Sequence, residues 1–166
     1  MHWKKPAPTK NVPAAPKSAA GLLNGDKIYG LPLTFSPAAF ATIKAHLEDT
    51  QTVPEDYDLI VTGDLGTIGV EALMALCRED GLSIGGKLTD CGNLIFDPIK
   101  QDVHAGGSGC GCSAIVLCSE LLGKLAAGKL KKLLFCGTGA LLSPTSTQQS
   151  LPIPGICHAV CLESRR

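Results

Sequence analysis

The chain has 166 residues, 45% of them hydrophobic but only 4% aromatic, and its 15 basic side chains balance its 15 acidic ones. This length is enough for one domain with a buried core, and the balanced charge without a basic stripe argues against a nucleic-acid partner. No apolar run reaches the roughly 20 residues that span a bilayer, and no apolar segment follows the N-terminal lysines as it would in a signal peptide. We therefore expect an intracellular protein without a transmembrane segment, whose eight cysteines are reduced.

Residues 1–29 differ in composition from the rest of the chain. They are rich in proline, alanine and lysine, with five lysines and a single acidic residue, Asp26. Such a segment cannot bury enough apolar surface to offset the entropy lost on ordering. We predict a disordered leader over residues 1–29 and one domain over residues 30–166.

The first half of the domain predicts a helix, a strand and a second helix. Ser36 followed by Pro37 is typical of a helix start, and the apolar spacing predicts a helix over residues 37–47. Residues 59–62 form a short, continuous apolar run, typical of a strand that is buried on both faces. A second amphipathic helix is predicted over residues 68–80. This order of elements is typical of a parallel α/β sheet.

The second half predicts a short strand over residues 94–96, a long helix over 109–127, and strands over 133–136 and 157–162. The segment 137–155 predicts a long loop before the last strand. We expect one mixed sheet, with parallel strands where a helix intervenes and an antiparallel partner for the last strand.

The long helix has a clear apolar face in the sequence. Residues at intervals of three or four positions make up this face. They are Ala114, Cys118, Leu121, Leu122 and Leu125.

A glycine-rich segment, residues 102–114, precedes this helix and has four glycines within positions 106–111. Glycine is usual where the backbone turns sharply or a ligand approaches closely. A turn that leads into a helix N-terminus gathers N–H donors and the positive end of the helix dipole, which favour a carboxylate or a phosphate. His104 stands at the beginning of this turn. The alternative interpretation is a tight connection to the helix with a packed histidine.

Other sites that glycines and cysteines often form are disfavoured. No Gly-Lys-Ser/Thr follows the glycines, which excludes a P-loop, and the dinucleotide-binding fingerprint is incomplete. A zinc site from Cys110 and Cys112 with Cys91 and His104 is disfavoured because Cys-x-Cys lacks the usual two-residue spacing. We therefore predict no metal and no cofactor.

From residue 30 to residue 163 the sequence closely resembles the stage V sporulation protein AD family of the thiolase-like superfamily. Four blocks in order carry the resemblance: residues 56–66, 89–92, 101–114 and 138–149. The third block contains the glycine-rich segment. Because four long blocks occur in order, the resemblance is far more specific than any single glycine motif.

The resemblance implies a thiolase-like fold, in which two similar α/β halves, each with a five-stranded sheet, pack across a pseudo-twofold axis. This chain corresponds to the C-terminal half alone. Residues 104–107 fit the His-x-x-Gly motif of that half. The nucleophilic cysteine of thiolases belongs to the absent N-terminal half, and Cys136 fits the later cysteine motif only loosely. The resemblance therefore implies no catalytic residue here, unless His104 acts as a general base or an oxyanion donor.

The resemblance also implies a sporulation protein that binds dipicolinic acid and takes part in its uptake into the developing spore. The implied ligand-binding residues are His104, Gly106, Gly107, Ser108, Gly109, Cys110, Thr138 and Gly139. The implied partners are the N-terminal half, other stage V sporulation proteins and a second copy of the chain, in the forespore or at the periphery of the spore inner membrane. Two alternatives stay open: an acyltransferase of the thiolase or ketoacyl synthase type, and a truncated fragment without a function of its own.

Overall fold

Residues 31–140 and 155–164 are described by the structure, a computed structural model of the chain. The predicted leader, residues 1–29, lies outside them. The elements in chain order are α1 (Leu31–Thr50), β1 (Leu59–Thr62), α2 (Gly66–Glu79), β2 (Leu88–Asp90), α3 (Cys91–Leu94), α4 (Cys112–Val116), α5 (Leu122–Ala126), β3 (Lys132–Ala140) and β4 (Gly155–Glu163). A 3₁₀ turn, Pro54–Asp56, precedes β1, and a π-helical turn, Leu117–Leu121, joins α4 to α5.

The described strands form one mixed sheet in the order β2-β1-β3-β4. Strand β1 pairs in parallel with β2 and with β3. Strand β4 runs antiparallel to β3, with a register that extends from Lys132 opposite Glu163 to Ala140 opposite Gly155. The predicted α/β class and the mixed sheet with an antiparallel last strand are confirmed. The resemblance implied five strands, whereas residues 31–140 and 155–164 contain four.

Helices cover both faces of this sheet, and each face has its own apolar core. Helices α1 and α2 pack on one face, where Ile43, Ile60 and Leu73 are fully buried. Helices α4 and α5 pack on the other face, against Val61 and Leu133. Neighbouring residues of β1 therefore face opposite layers of helices. Because both layers are apolar, every residue of the strand can be apolar, as the continuous apolar run predicted.

The predicted strand over residues 94–96 is wrong. Strand β2 lies earlier, at Leu88–Asp90, and α3 follows it directly, because Asp90 is extended (φ −135°, ψ 134°) and the next residues are helical. Leu94 and Phe96 are both 41% exposed. The apolar run that predicted a strand is therefore the end of α3 and the surface segment after it.

Two predicted boundaries also need correction. Helix α1 begins at Leu31, so that Pro37 lies inside the helix instead of at its start. Ser36 is not its N-cap, because the buried hydroxyl donates to the carbonyl of Gly69 in α2 at 2.7 Å. The predicted loop over 137–155 begins later, since β3 continues to Ala140. Residues 141–154 lie outside the described part of the chain.

The apolar face predicted for the long helix is only half right. Cys112 and Val116 are buried before the π-helical turn, Leu121 is buried at its last position, and Leu125 is buried after it. The buried positions are therefore spaced by four, five and four residues, because a π turn contains one extra residue. The predicted face members Ala114 and Cys118 are exposed as a result.

His46 on α1 makes the stability of the fold depend on pH. Its Nε2 lies 2.8 Å from the hydroxyl of the buried Tyr57. Burial and then the charge of Lys132 lower the pKa of His46 from its usual 6.5. Between the usual pKa of 6.5 and the lower pKa in the folded protein, the unfolded chain therefore binds more protons at His46 than the folded chain does. Folding stability should decrease as the pH falls through this range. Thermal unfolding across this range should show the loss in wild type and a smaller one in His46→Gln; equal slopes would contradict the assignment.

None of the helices in the two described stretches is long and apolar enough to cross a membrane.

Candidate functional site

The carboxyl ends of the parallel strands meet at one edge of the sheet. Thr62 ends β1 and pairs with Asp90, the last residue of β2, and with Cys136 of β3. Thr138 follows two residues later on β3, on the same side of the strand as Cys136. In open α/β sheets the crevice beyond the carboxyl ends of the strands is where ligands bind, so this edge is the candidate site.

The buried carboxylate of Asp90 holds the loop after β1 in place. Its carboxylate accepts hydrogen bonds from the Thr62 hydroxyl at 2.6 Å and from the backbone amides of Leu65 and Gly66, each at 3.0 Å. Asp90 is only 1% exposed. Since these amides lie at the start of α2, the carboxylate also complements the positive end of that helix.

Asp64 connects the glycine-rich segment to β3. One carboxylate oxygen, Oδ2, accepts hydrogen bonds from the Ser108 hydroxyl at 2.9 Å and from the Gly109 amide at 3.2 Å. The other, Oδ1, accepts one from the Thr138 hydroxyl at 3.1 Å. Three of the sequence-predicted ligand residues are therefore brought together, and the group that joins them is a carboxylate of the chain itself.

The backbone of the glycine-rich segment adopts the conformations that its glycines allow. Gly106 and Gly109 have φ angles of 113° and 122°, in the region that side chains rarely adopt. His104 also has a positive φ, 48°. The amide of Gly106 donates to the Val103 carbonyl at 2.9 Å, and that of Gly107 to the Gly92 carbonyl at 2.7 Å. These two amides are thus engaged within the protein.

Close backbone contacts fix the segment against its neighbours. The Ala105 carbonyl accepts the amide of Thr67, in the first turn of α2, at 2.7 Å. A Cβ atom on Gly66 would lie 2.4 Å from this carbonyl oxygen, and one on Gly92 would lie 2.4 Å from the Gly107 oxygen. Glycine is required at both positions because the backbones come this close.

The remaining predicted site residues are placed as follows. His104 is 87% exposed in its side chain, and its Nδ1 lies 3.3 Å from Asp102 Oδ1. Cys110 is exposed. Gly107 is buried, and a Cβ there would lie 2.4 Å from the Ile95 side chain. Gly139 lies on β3 beside Thr138. The binding roles of these residues stay predictions.

The sequence reasoning missed two residues that organise this edge, Asp64 and Asp90. A signal for Asp64 was present, since it is a carboxylate just beyond the predicted strand over residues 59–62. Asp90 had no such signal, because it ends a strand that the sequence did not predict. The helix after the glycine-rich segment was predicted from residue 109 but begins at Cys112, because Gly109 to Gly111 form the turn.

The buried thiols near this edge are not activated. Burial, together with the charge of Asp90, raises the pKa of Cys91 to about 12. Burial likewise raises the pKa of Cys112, and a hydrogen bond with Cys157 raises that of Cys136. Thiols with raised pKa values are poor nucleophiles at neutral pH. Within the described residues, no group of three His, Cys, Asp or Glu side chains is placed to hold a metal ion.

Comparisons with known proteins identify the family of this chain. Residues 27–163 match the family model for Stage V sporulation protein AD (SpoVAD). The chain is also 48% identical over 128 residues to the Stage V sporulation protein AD of Bacillus subtilis (strain 168). The aligned part covers 77% of this chain and 38% of that relative, so the chain spans less than half of the relative's length. The family assignment predicted from the four sequence blocks is confirmed, and this chain belongs to the Stage V sporulation protein AD family.

Proposed function

We propose that this sporulation protein binds dipicolinic acid at the carboxyl edge of its sheet and takes part in its uptake into the developing spore. One observation supports the site best: Ser108, Gly109 and Thr138 direct their donors at a single carboxylate. Dipicolinate is a pyridine with two carboxylates, and hydrogen bonds from neutral donors to a charged carboxylate are among the stronger ones in proteins.

His104 would supply the contact that distinguishes dipicolinate from other dicarboxylates. Its imidazole is exposed, and its contact with Asp102 is equally exposed. Such a side chain can turn toward the ring nitrogen or a carboxylate of the ligand, since imidazole has both a donor and an acceptor nitrogen. Cys110 and Gly139 would line the same site and limit the size of the ligand.

The proposed partners are the N-terminal thiolase-like half, other stage V sporulation proteins and a second copy of the chain. Exposed apolar side chains support a surface that a partner covers: Leu94, Phe96, Ile99 and Ile115 are all exposed. Of these, Phe96 lies beside Gly107 and Ile115 beside Gly111. A protein that acts in this uptake would reside in the forespore or at the periphery of the spore inner membrane.

An acyltransferase is the second candidate. The observation that favours it is the His104–Asp102 pair, because a carboxylate beside an imidazole orients general bases in enzymes. The raised pKa values of Cys91, Cys112 and Cys136 count against a local nucleophile. The resemblance to thiolases gives the nucleophilic cysteine to the N-terminal half, so the reaction would take its thiol from there.

Calorimetric titration of dipicolinate tests the proposal, both on this chain and on the chain combined with a separately produced N-terminal thiolase-like half. His104→Ala should weaken binding by about 1–3 kcal/mol, the range for a lost charge-assisted hydrogen bond. His104→Gly is the matched control for the backbone, since glycine accepts the positive φ, and it should weaken binding equally.

Benzene-1,3-dicarboxylate is the matched ligand, because it keeps both carboxylates and lacks the ring nitrogen. If His104 contacts that nitrogen, binding of this ligand should not respond to His104→Ala. Acyl-CoA turnover without dipicolinate binding would favour the acyltransferase instead. If both preparations fail to bind dipicolinate and show no turnover, the result would favour the fragment without a function.

A further inference from the structure

Asp64 already occupies the position that an incoming carboxylate needs. Its two oxygens take the donors of Ser108, Gly109 and Thr138 at 2.9, 3.2 and 3.1 Å. These donors come from segments 44 to 74 residues away in sequence. An external anion at the same donors would meet both the volume and the negative charge of Asp64.

The segments that carry the donors have contacts besides those with the Asp64 side chain. The backbone amide of Asp64 donates to the Thr138 hydroxyl oxygen at 3.3 Å, which holds that hydroxyl even when the carboxylate is absent. The turn is held separately, by the Gly107 amide on the Gly92 carbonyl and by the Cys112 amide on the Gly109 carbonyl at 3.0 Å. The backbone on both sides of the Asp64 carboxylate therefore has supports other than that carboxylate.

Comparison with Asp90 shows which of the two carboxylates is exchangeable. Asp90 is 1% exposed, and its donors at Leu65 and Gly66 are buried with it. Asp64 is only partly buried, and Ser108 and Gly109 are exposed. Solvent and solutes can thus reach the Asp64 contacts, whereas those of Asp90 are sealed.

We infer that Asp64 is an internal occupant of the carboxylate position, and that an external carboxylate binds there only after the Asp64 side chain has left it. The contact is autoinhibitory, because the resting site is closed by a group of the same chemistry as its ligand. The inference rests on the proposed function for the identity of the natural anion. Whatever the natural anion is, an external carboxylate would replace Asp64 at Ser108, Gly109 and Thr138.

Formate, the smallest carboxylate, is the probe for this exchange. Asp64→Ala in the full 166-residue chain removes the carboxylate and leaves room at the three donors. Added formate should move the Gly109 amide resonance of this variant back toward its wild-type position and raise the melting temperature. Wild type should respond about tenfold more weakly, since Asp64 competes there. Sodium chloride at equal ionic strength is the control for salt.

Two further variants separate occupancy from charge. Asp64→Asn removes the charge but keeps the volume, so it should respond to formate far less than Asp64→Ala. Asp58→Ala removes another carboxylate that accepts two backbone amides, those of Lys131 and Lys132. It lies at the opposite end of β1 and should leave the formate response of the Gly109 amide as in wild type.

Titration of dipicolinate into the same variants distinguishes this inference from the proposed function. Asp64→Ala should bind dipicolinate about tenfold more tightly than wild type. If no variant binds dipicolinate but formate restores the Gly109 resonance, the proposed function fails and the inference stands. Equal formate responses in wild type, Asp64→Ala and Asp64→Asn would overturn the inference. Should Asp64→Ala not fold, the wild-type carboxyl ¹³C resonance of Asp64 decides, because formate at saturation must shift it.

Discussion

Replacement of Asp90 by alanine is expected to remove a large part of the folding stability of this chain. The substitution leaves two buried donors without an acceptor, the amides of Leu65 and Gly66. The Thr62 hydroxyl loses its bond to Asp90 at 2.6 Å and keeps only the Thr89 carbonyl at 3.3 Å. Each unsatisfied buried donor costs about 1–3 kcal/mol, and a domain has only about 5–15 kcal/mol in total. Urea unfolding should show a loss of about 2–6 kcal/mol, or no folded protein, at about 1–3 kcal/mol for each of the two amides.

Asp58→Ala is the matched control for this loss. The Asp58 carboxylate also accepts two backbone amides, but it is exposed. Water can replace it there, so its removal should cost about 1 kcal/mol. If the two variants were equally stable, burial of Asp90 would not be the cause of its effect.

Gly66→Ala should be the second most damaging single change at this edge. Gly66 has a φ of 64°, and an added Cβ would lie 2.4 Å from the Ala105 carbonyl oxygen. That oxygen cannot move away without breaking its hydrogen bond to the Thr67 amide. The left-handed conformation costs about 1–2 kcal/mol, and the displaced turn should bring the total to about 2–4 kcal/mol.

Gly81→Ala separates these two contributions. Gly81 has a similar φ of 76°, but nothing lies within 4 Å of a Cβ placed there. It should therefore lose only the conformational part, about 1–2 kcal/mol. Equal melting temperatures for the two variants would show that the Ala105 contact does not resist the substitution.

Much of the fold was predictable from local pattern. The buried strands at residues 59–62 and 133–136 have continuous apolar runs, and these identify strands that are covered on both faces. Strand β2 was missed since it has three residues and ends in a carboxylate, whereas the apolar residues 94–96 gave a stronger signal in the wrong place. The π-helical turn could not be predicted either, because it shifts the buried face by one residue without any marker in composition.

The sequence was sufficient to predict the segments that form the candidate site, but not the Asp64 carboxylate that joins them. The glycine-rich segment and Thr138 belong to separate sequence blocks, and the resemblance placed both in one site. That Asp64 joins Ser108 to Thr138 follows only from the pairing of β1 with β3, which brings residues 74 positions apart into hydrogen-bonding distance. A contact between residues so far apart in sequence cannot be predicted from the spacing of motifs.

The backbone at His104 provides a way to read the evolution of this family. Histidine at a φ of 48° is strained, and glycine would relieve that strain without any change in the turn. Drift without selection on the imidazole would therefore favour glycine at this position. A relative with histidine at this position would have kept a less stable residue, and that would mark selection for its side chain, whereas glycine at position 106 would be kept for the backbone alone.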